Sequence, residues 1–370
     1  MSESKIFASE KEHTKHILRI IGKTQDIGKR NLLRTSVVME SIGEDGDGQR
    51  IDNFFFKRFR NIPKSHIYQL LRSGQVRVNG KRVNFHYRLQ VGEVLRIPPI
   101  NKTEKQNVRQ QKIPQSRHFS FHVIFEDEAL LVVDKPSGLA VHGGSGVSFG
   151  VIEQLRAQKP ELKFLELVHR LDRETSGVLL LAKKRSALVE LHRQIRSGQT
   201  EKHYQVMVKG QWSNKKQNVK LPLIKYVTVE GERRVAVADN KPGSGKHYGY
   251  KEMDSHTLFN LIKAWQDYSL LDAELKTGRT HQIRVHLAHL GFPIVGDDKY
   301  GDFSVNRQLA KNRSGSRLAP GLTRMFLHAS NMQIKHPLSG QRLKLTAPLP
   351  ADLKTFIDHL ELIENLNERG

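Results

Sequence analysis

A chain of 370 residues has room for about two domains, the larger able to bury an ordinary hydrophobic core. It contains no cysteine, which excludes disulfides, zinc–thiolate and iron–sulfur centres and any thiol nucleophile. Lys and Arg number 61 against 38 Asp and Glu, a net +23 that makes a polyanion the expected partner, nucleic acid ahead of an anionic membrane.

Residues 1–47 carry eight basic and eight acidic side chains and read as a polar, disordered leader, with Ser9 and Glu12 at capping-box spacing marking a short helix over 9–21. No uninterrupted apolar run occurs near the N-terminus, so neither a secretory signal nor a membrane span is expected, and a cytoplasmic location follows as the default. The charge concentrates next. Residues 48–115 hold fifteen Lys or Arg against Asp52, Glu93 and Glu104, a net +12, as a phosphate-gripping module should.

Within that stretch RIDNFFFKRF has helical apolar spacing, and PKSHIYQLLRSG predicts a second helix punctuated by Pro63 and Gly74. Val76 and Val78 alternate before an Asn79-Gly80 turn and Val83, the pattern of a tight hairpin. GEVLRIPP adds a strand that closes a domain over 48–100. Residues 101–117 lack periodic apolar positions and read as a linker.

The second domain, 118–370, opens with two strand-like runs in FHVIFEDEALLVVDKPSG, ending in the turn Lys135–Gly138. Strands follow at GVLLLAKK and HYQVMVKG, a helix at RSALVELHRQIRSG, a strand and helix in SLLDAELKTGRTHQIRVHLAHLG, and a C-terminal amphipathic helix in ADLKTFIDHLELIENLNE. Strands and helices do not alternate strictly, so the class is α+β rather than a doubly wound parallel sheet. No internal repeat is visible.

Two polar clusters interrupt these apolar runs. In His169–Gly177, Asp172 lies between Arg170 and Arg173, and neighbouring cations favour an ionised carboxylate able to serve as base or nucleophile. The same residues also fit a salt-bridged, solvated turn, and local sequence leaves both readings open. In Thr277–Arg284, Gly278 permits a tight turn, while Arg279 and Arg284 have the fork that binds carboxylate or phosphate. His281, His286 and His289 lack the HExxH spacing, and no thiolate can complete a set, so no metal site is expected. Tyr204, with Lys202 and His203 beside it, is a candidate acid–base or stacking group, although most strand tyrosines simply pack.

Taken together, HRLDRETSG, EKHYQV and LKTGRTHQIRVH, preceded by VVDKPSGLAVHGG, resemble the blocks of the large-subunit rRNA pseudouridine synthases of the RluA/RluC/RluD type, with the C subgroup nearest. GQRIDNF, PKSHIY, RSGQVRVNG and VGEVLRIPP resemble the S4 RNA-binding domain that precedes the catalytic domain in several of them. The likeness spans residues 48–350. It implies an α+β protein: an S4 domain, then a catalytic domain on a mixed, largely antiparallel sheet.

The resemblance further implies isomerisation of specific uridines in 23S rRNA to pseudouridine, with no cofactor or metal and with the chain acting as a monomer on rRNA or a ribosome assembly intermediate. Asp172 would be the catalytic carboxylate, either attacking C1′ or removing the C2′ proton. Arg284 would pair with it bidentately, and Tyr204 would stack on the base and assist loss of the C5 proton. Arg170 would help flip the nucleotide, with His169, Arg279 and His281 beside it, and Arg50, Lys64, Arg72, Arg77 and Lys81 of the S4 block would contact RNA. Two rivals remain: a non-catalytic S4-type RNA-binding or ribosome-assembly factor, and a metal-dependent nuclease using the histidines near 281.

Overall fold

The computed structural model describes residues 36–59, 62–100, 119–143, 149–238, 250–312 and 321–367, which fall into two units on either side of residue 109. The first contains β1 (Val38–Ser41), α1 (Ile51–Arg58), α2 (Lys64–Arg72), β2 (Arg77–Val78), β3 (Lys81–Arg82) and β4 (Val94–Ile97). Its strands run antiparallel in the order β1-β4-β2-β3. Asn79 and Gly80 both take left-handed angles, φ 47° and 75°, as a two-residue type I′ turn demands. Pro63 caps α2, where its missing N–H costs nothing. Phe55 of α1 and Ile67, Leu70 and Leu71 of α2 bury themselves against Val78, Leu95 and Ile97 of the sheet. Each such side chain contributes about 1.5–3 kcal/mol.

The expected leader needs correction at its C-terminal end. Val38–Ser41 pairs residue for residue with Val94–Ile97, and Ile42 is buried in the same core. Val-Met-Glu-Ser is too short and too polar to announce a strand. It becomes one because β4 presents an open edge of unpaired amides and carbonyls. Residues 1–35, including the expected helix over 9–21, and the linker over 101–117 lie outside the described residues.

The second unit contains β5 (His122–Glu126), β6 (Leu130–Lys135), α3 (Val151–Gln158), β7 (Glu166–Leu167), β8 (Ser176–Ala182), α4 (Arg185–Arg196), β9 (Glu201–Lys209), β10 (Lys216–Val219), β11 (Leu223–Val227), β12 (Arg233–Val237), β13 (Thr257–Ala264), β14 (Tyr268–Leu275), α5 (Gln282–His289), α6 (Phe303–Lys311), β15 (Leu327–Lys335), β16 (Arg342–Thr346) and α7 (Ala351–Asn367). Its main sheet runs β10-β13-β14-β9-β15-β8-β6-β5, with β16 added to β15 and β7 to β8, while β11 and β12 form a separate hairpin. Among the described residues only β8 and β15 pair in parallel. The α+β class and the mixed, largely antiparallel sheet are as the sequence leads one to expect.

Alternation explains why β6 and β8 read as unbroken apolar runs. Leu131, Val133, Leu179 and Leu181 point into one core, with α3 and α5; Leu130, Val132, Val178 and Leu180 point into another, with α4. A strand covered on both faces has no reason to alternate. At the start of β8, Gly177 takes φ 111°, and a Cβ there would lie 2.2 Å from the Ala329 carbonyl oxygen of β15. Only glycine lets the parallel pair close directly behind the polar loop that precedes β8.

Candidate active site

That loop, His169–Thr175, joins β7 to β8 and is fastened to the turn after β6. The fully buried Lys135 donates to the carbonyls of Pro136, Leu139 and Arg173 at 2.8, 2.7 and 3.0 Å. Burial brings this ammonium down to a pKa of about 7, against the pull of nearby Glu174. Ser137 Oγ donates to the Glu174 carbonyl, and the Gly138 amide to that of Arg173. Asp172 sits at the crest of this braced loop, 28% exposed, on the wall of a cavity of about 700 Å³.

Neither flanking arginine holds Asp172. Arg173 turns away to the Gly138 carbonyl and to Glu174. Arg170 is exposed at the cavity and has no partner among the described residues. The cation that reaches Asp172 comes from α5, 112 positions along the chain: Arg284 Nη1 lies 3.4 Å from Oδ2.

Arg284 is 4% exposed, and the expected bidentate grip on Asp172 is not what it makes. Nε and Nη2 both donate at 2.7 Å to the two oxygens of Asp297, which is fully buried, and Nη2 also meets Asp298 at 3.2 Å. A guanidinium offers one forked edge on this side, and Asp297 has taken it, leaving Nη1 for Asp172. Burial lowers the pKa of this arginine, but the carboxylates of Asp297, Asp172 and Asp298 outweigh it and hold the pKa above its ordinary value. Burial likewise pushes Asp297 up, yet Arg284 and the Lys299 and Tyr300 amides hold it below the usual carboxylate range.

Tyr300 completes the support. Its ring lies 5.1 Å from the Arg284 guanidinium carbon, and its hydroxyl accepts from the Val235 amide of β12 and lies 2.9 Å from His281 Nδ1. Burial lowers the pKa of His281. A neutral ring accepting the Tyr300 proton at Nδ1 carries its own proton on Nε2, 3.9 Å from Asp172. His281 adopts φ 53°, a left-handed angle rare for a side chain of its size, at the N-terminus of α5. Gln282 secures the turn before it, accepting from Thr277 and Arg279 and donating to His256 and Thr257.

Tyr204 reaches the same cavity from β9 and is 7% exposed. Its hydroxyl has no hydrogen-bond partner among the described residues. Burial first, and the Asp172 charge second, push the phenol well above its ordinary range, so at neutral pH it is a proton donor and a stacking face rather than a base.

The other candidates divide. Arg279 lines the cavity with its guanidinium on the Asp254 carbonyl. His169 lines it too, but its Nε2 accepts from the Leu180 amide, and burial, assisted by Lys202, brings it to about 4, so it holds the loop against β8 as a neutral ring. In the S4 block, Arg50 is engaged by Asp52, Arg77 by the Gly74 and Gly80 carbonyls, and Lys64 lies over the Phe56 ring. Arg72 and Lys81 are exposed without partners among the described residues. The three histidines near 281 do not converge: His286 is buried between Ser255 and Thr257, His289 is exposed, and among the described residues no three His, Asp or Glu side chains are grouped to hold a metal ion.

Sequence reasoning missed Asp297, Tyr300 and Lys135. One signal was present for the first two: paired acids and a tyrosine in GDDKYG, a turn in a strongly basic chain.

Comparison with known proteins agrees with this layout. The family described as RNA pseudouridylate synthase matches residues 129–289, and the S4 domain matches 49–95. Ribosomal large subunit pseudouridine synthase C of Pasteurella multocida (strain Pm70) is 44% identical over 331 residues, 89% of this chain and 95% of its own. The chain belongs to the RNA pseudouridylate synthase family. A second relative, ribosomal large subunit pseudouridine synthase C of Escherichia coli (strain K12), is also 44% identical to this synthase, over 88% of the chain and 97% of its own length. The solved structure of human RNA pseudouridylate synthase domain containing 1 shares the fold at 23% identity and a TM-score of 0.50, covering 65% of the synthase and 87% of the human chain. Among the described residues no helix is long and apolar enough to cross a membrane.

Proposed function

We propose that this synthase, a cytoplasmic monomer, isomerises specific uridines of large-subunit ribosomal RNA to pseudouridine, with Asp172 acting on the ribose of a nucleotide turned out of its stack. The observation that carries the reading is a carboxylate, accessible from a cavity of about 700 Å³ and faced by the Nη1 of a buried arginine that is fixed from behind. The names of the two bacterial relatives support the choice of RNA.

The reaction breaks the N1–C1′ bond, rotates the freed uracil and joins C5 to C1′. Asp172 takes the C2′ proton as N1 departs with the bond pair, leaving a double bond between C1′ and C2′. After rotation C5 adds to C1′, the proton returns to C2′, and the C5 proton is lost as N1 gains one. Arg284 Nη1 faces the Asp172 carboxylate through the first step. Tyr204 packs on the base as a neutral phenol, which argues against its serving as the base at C5. A stacked uridine is out of reach, so Arg170, exposed and unpaired, fills the space the nucleotide leaves.

Purified protein with large-subunit rRNA transcript and no added cofactor should form pseudouridine at defined positions. Asp172→Asn should lose about 10³-fold or more in turnover while binding RNA normally. Equal turnover by the variant would sink the assignment. Deuterium at C2′ of the target should slow the reaction severalfold; an unchanged single-turnover rate would instead favour attack at C1′.

A further inference from the structure

Lys202 is a cation in this cavity that nothing among the described residues answers. It precedes Tyr204 by two positions on β9, so both side chains leave the same face of the strand and line the same cavity. His203, between them, is occupied by Asp272 at 2.9 Å. The Lys202 ammonium lies against the turn before α5, where a Cβ placed on Gly278 would come 3.7 Å from Nζ.

The other cations of the cavity differ. Arg156 is held by Glu166 and the Leu165 carbonyl, Arg279 by the Asp254 carbonyl, and Arg284 by Asp297. Arg170 is unpaired among the described residues but reaches water. Lys202 is mostly withdrawn from water, and burial is the sole influence that shifts it, downward. An ammonium in that position destabilises the fold unless an anion from outside answers it.

The chemistry of the substrate supplies one. Uracil and ribose are neutral in the resting nucleotide, and their carbonyls and hydroxyls can accept a hydrogen bond without cancelling a charge. The linkage on either side of the nucleotide carries a full negative charge. Building on the reading of the site as a uridine isomerase, we propose that Lys202 Nζ binds a phosphodiester oxygen of the RNA strand beside the target uridine.

The test is a cycle between protein and substrate. Short RNAs carrying a uridine that the enzyme modifies are made with one flanking linkage at a time replaced by a neutral methylphosphonate, and tested against wild type, Lys202→Met and Lys202→Arg. Lys202→Met should raise KM on the order of 10-fold with kcat nearly unchanged. One neutral linkage should cost the wild type a similar factor and cost Lys202→Met nothing further, and Lys202→Arg should restore most of the loss. Lys202→Met should also melt no lower than wild type, because a half-buried charge with no partner among the described residues has gone. If every neutral linkage weakens Lys202→Met as much as wild type, or if the loss falls on kcat instead of KM, the contact does not exist. The same RNAs bound in an Asp172→Asn background, without turnover, read the contact even if no uridine is isomerised, so failure of the isomerase reading and failure of the phosphate contact are seen separately.

Discussion

Arg284 shows how one side chain is committed to three carboxylates of unequal role. Asp297 grips its forked edge in a place closed to water, and Asp172 receives the remaining Nη1 at the cavity. Asp297→Asn keeps the shape and removes the charge, leaving a buried guanidinium with only the more exposed Asp298 and Asp172, at 3.2 and 3.4 Å, as counter-charges. Breaking a pair of this kind costs about 3 kcal/mol, readable as a lowered urea midpoint, and a loosened Arg284 should cut turnover roughly 10²-fold. Normal turnover in the variant would refute a positioning role for Asp297. The pH dependence has a definite sign. Because the folded protein holds Asp297 below its ordinary range, its contribution is complete above about pH 4 and disappears as pH falls through the lowered value. Wild type should therefore lose unfolding free energy more steeply than Asp297→Asn below pH 4. At this scale Asp172, Tyr204 and Arg284 were legible as residues. The partner that Arg284 grips was not, because Asp297 lies outside the motif that bears Arg284 and meets it only once the turn after α5 folds back on the helix.

Elements with strong local chemistry were readable one by one: the Asn79-Gly80 hairpin, the helix begun by Pro63, and the doubly covered strands β6 and β8. Elements that exist only through their neighbours were not. β1 has no apolar alternation of its own and forms along the free edge of β4, with Glu40 paired to Arg58 and Ile42 entering the core. A chain starting at residue 48 should accordingly lose a strand and a buried isoleucine from the S4 unit. Compared with a chain starting at residue 36, its first denaturation transition should come at least about 2 kcal/mol lower. Coincident transitions would mean that β1 is dispensable and that the leader does extend to residue 47.

For the whole molecule, the net +23 and the +12 packed into residues 48–115 fit the proposal that one unit holds RNA and the other modifies it. The second unit has cores of its own, so removal of residues 1–100 should leave it folded. Its affinity for rRNA should fall, and the slope of log K against log salt should flatten by about 0.7 for each single-strand phosphate the S4 unit contacts. An unchanged slope would remove the S4 unit from RNA binding. The sequence by itself determined the partner class through charge, the α+β class through the order of its apolar runs, and the motifs that bear Asp172, Tyr204 and Arg284. Those properties are local or additive along the chain. Tertiary structure alone decided that Arg284 is clamped by Asp297, that Tyr300 backs His281, that Lys135 braces the Asp172 loop, and that Lys202 is left without an anion among the described residues. Each depends on which atoms meet across a long separation in the chain and on how much water is excluded there, and neither quantity is written in the spacing of residues.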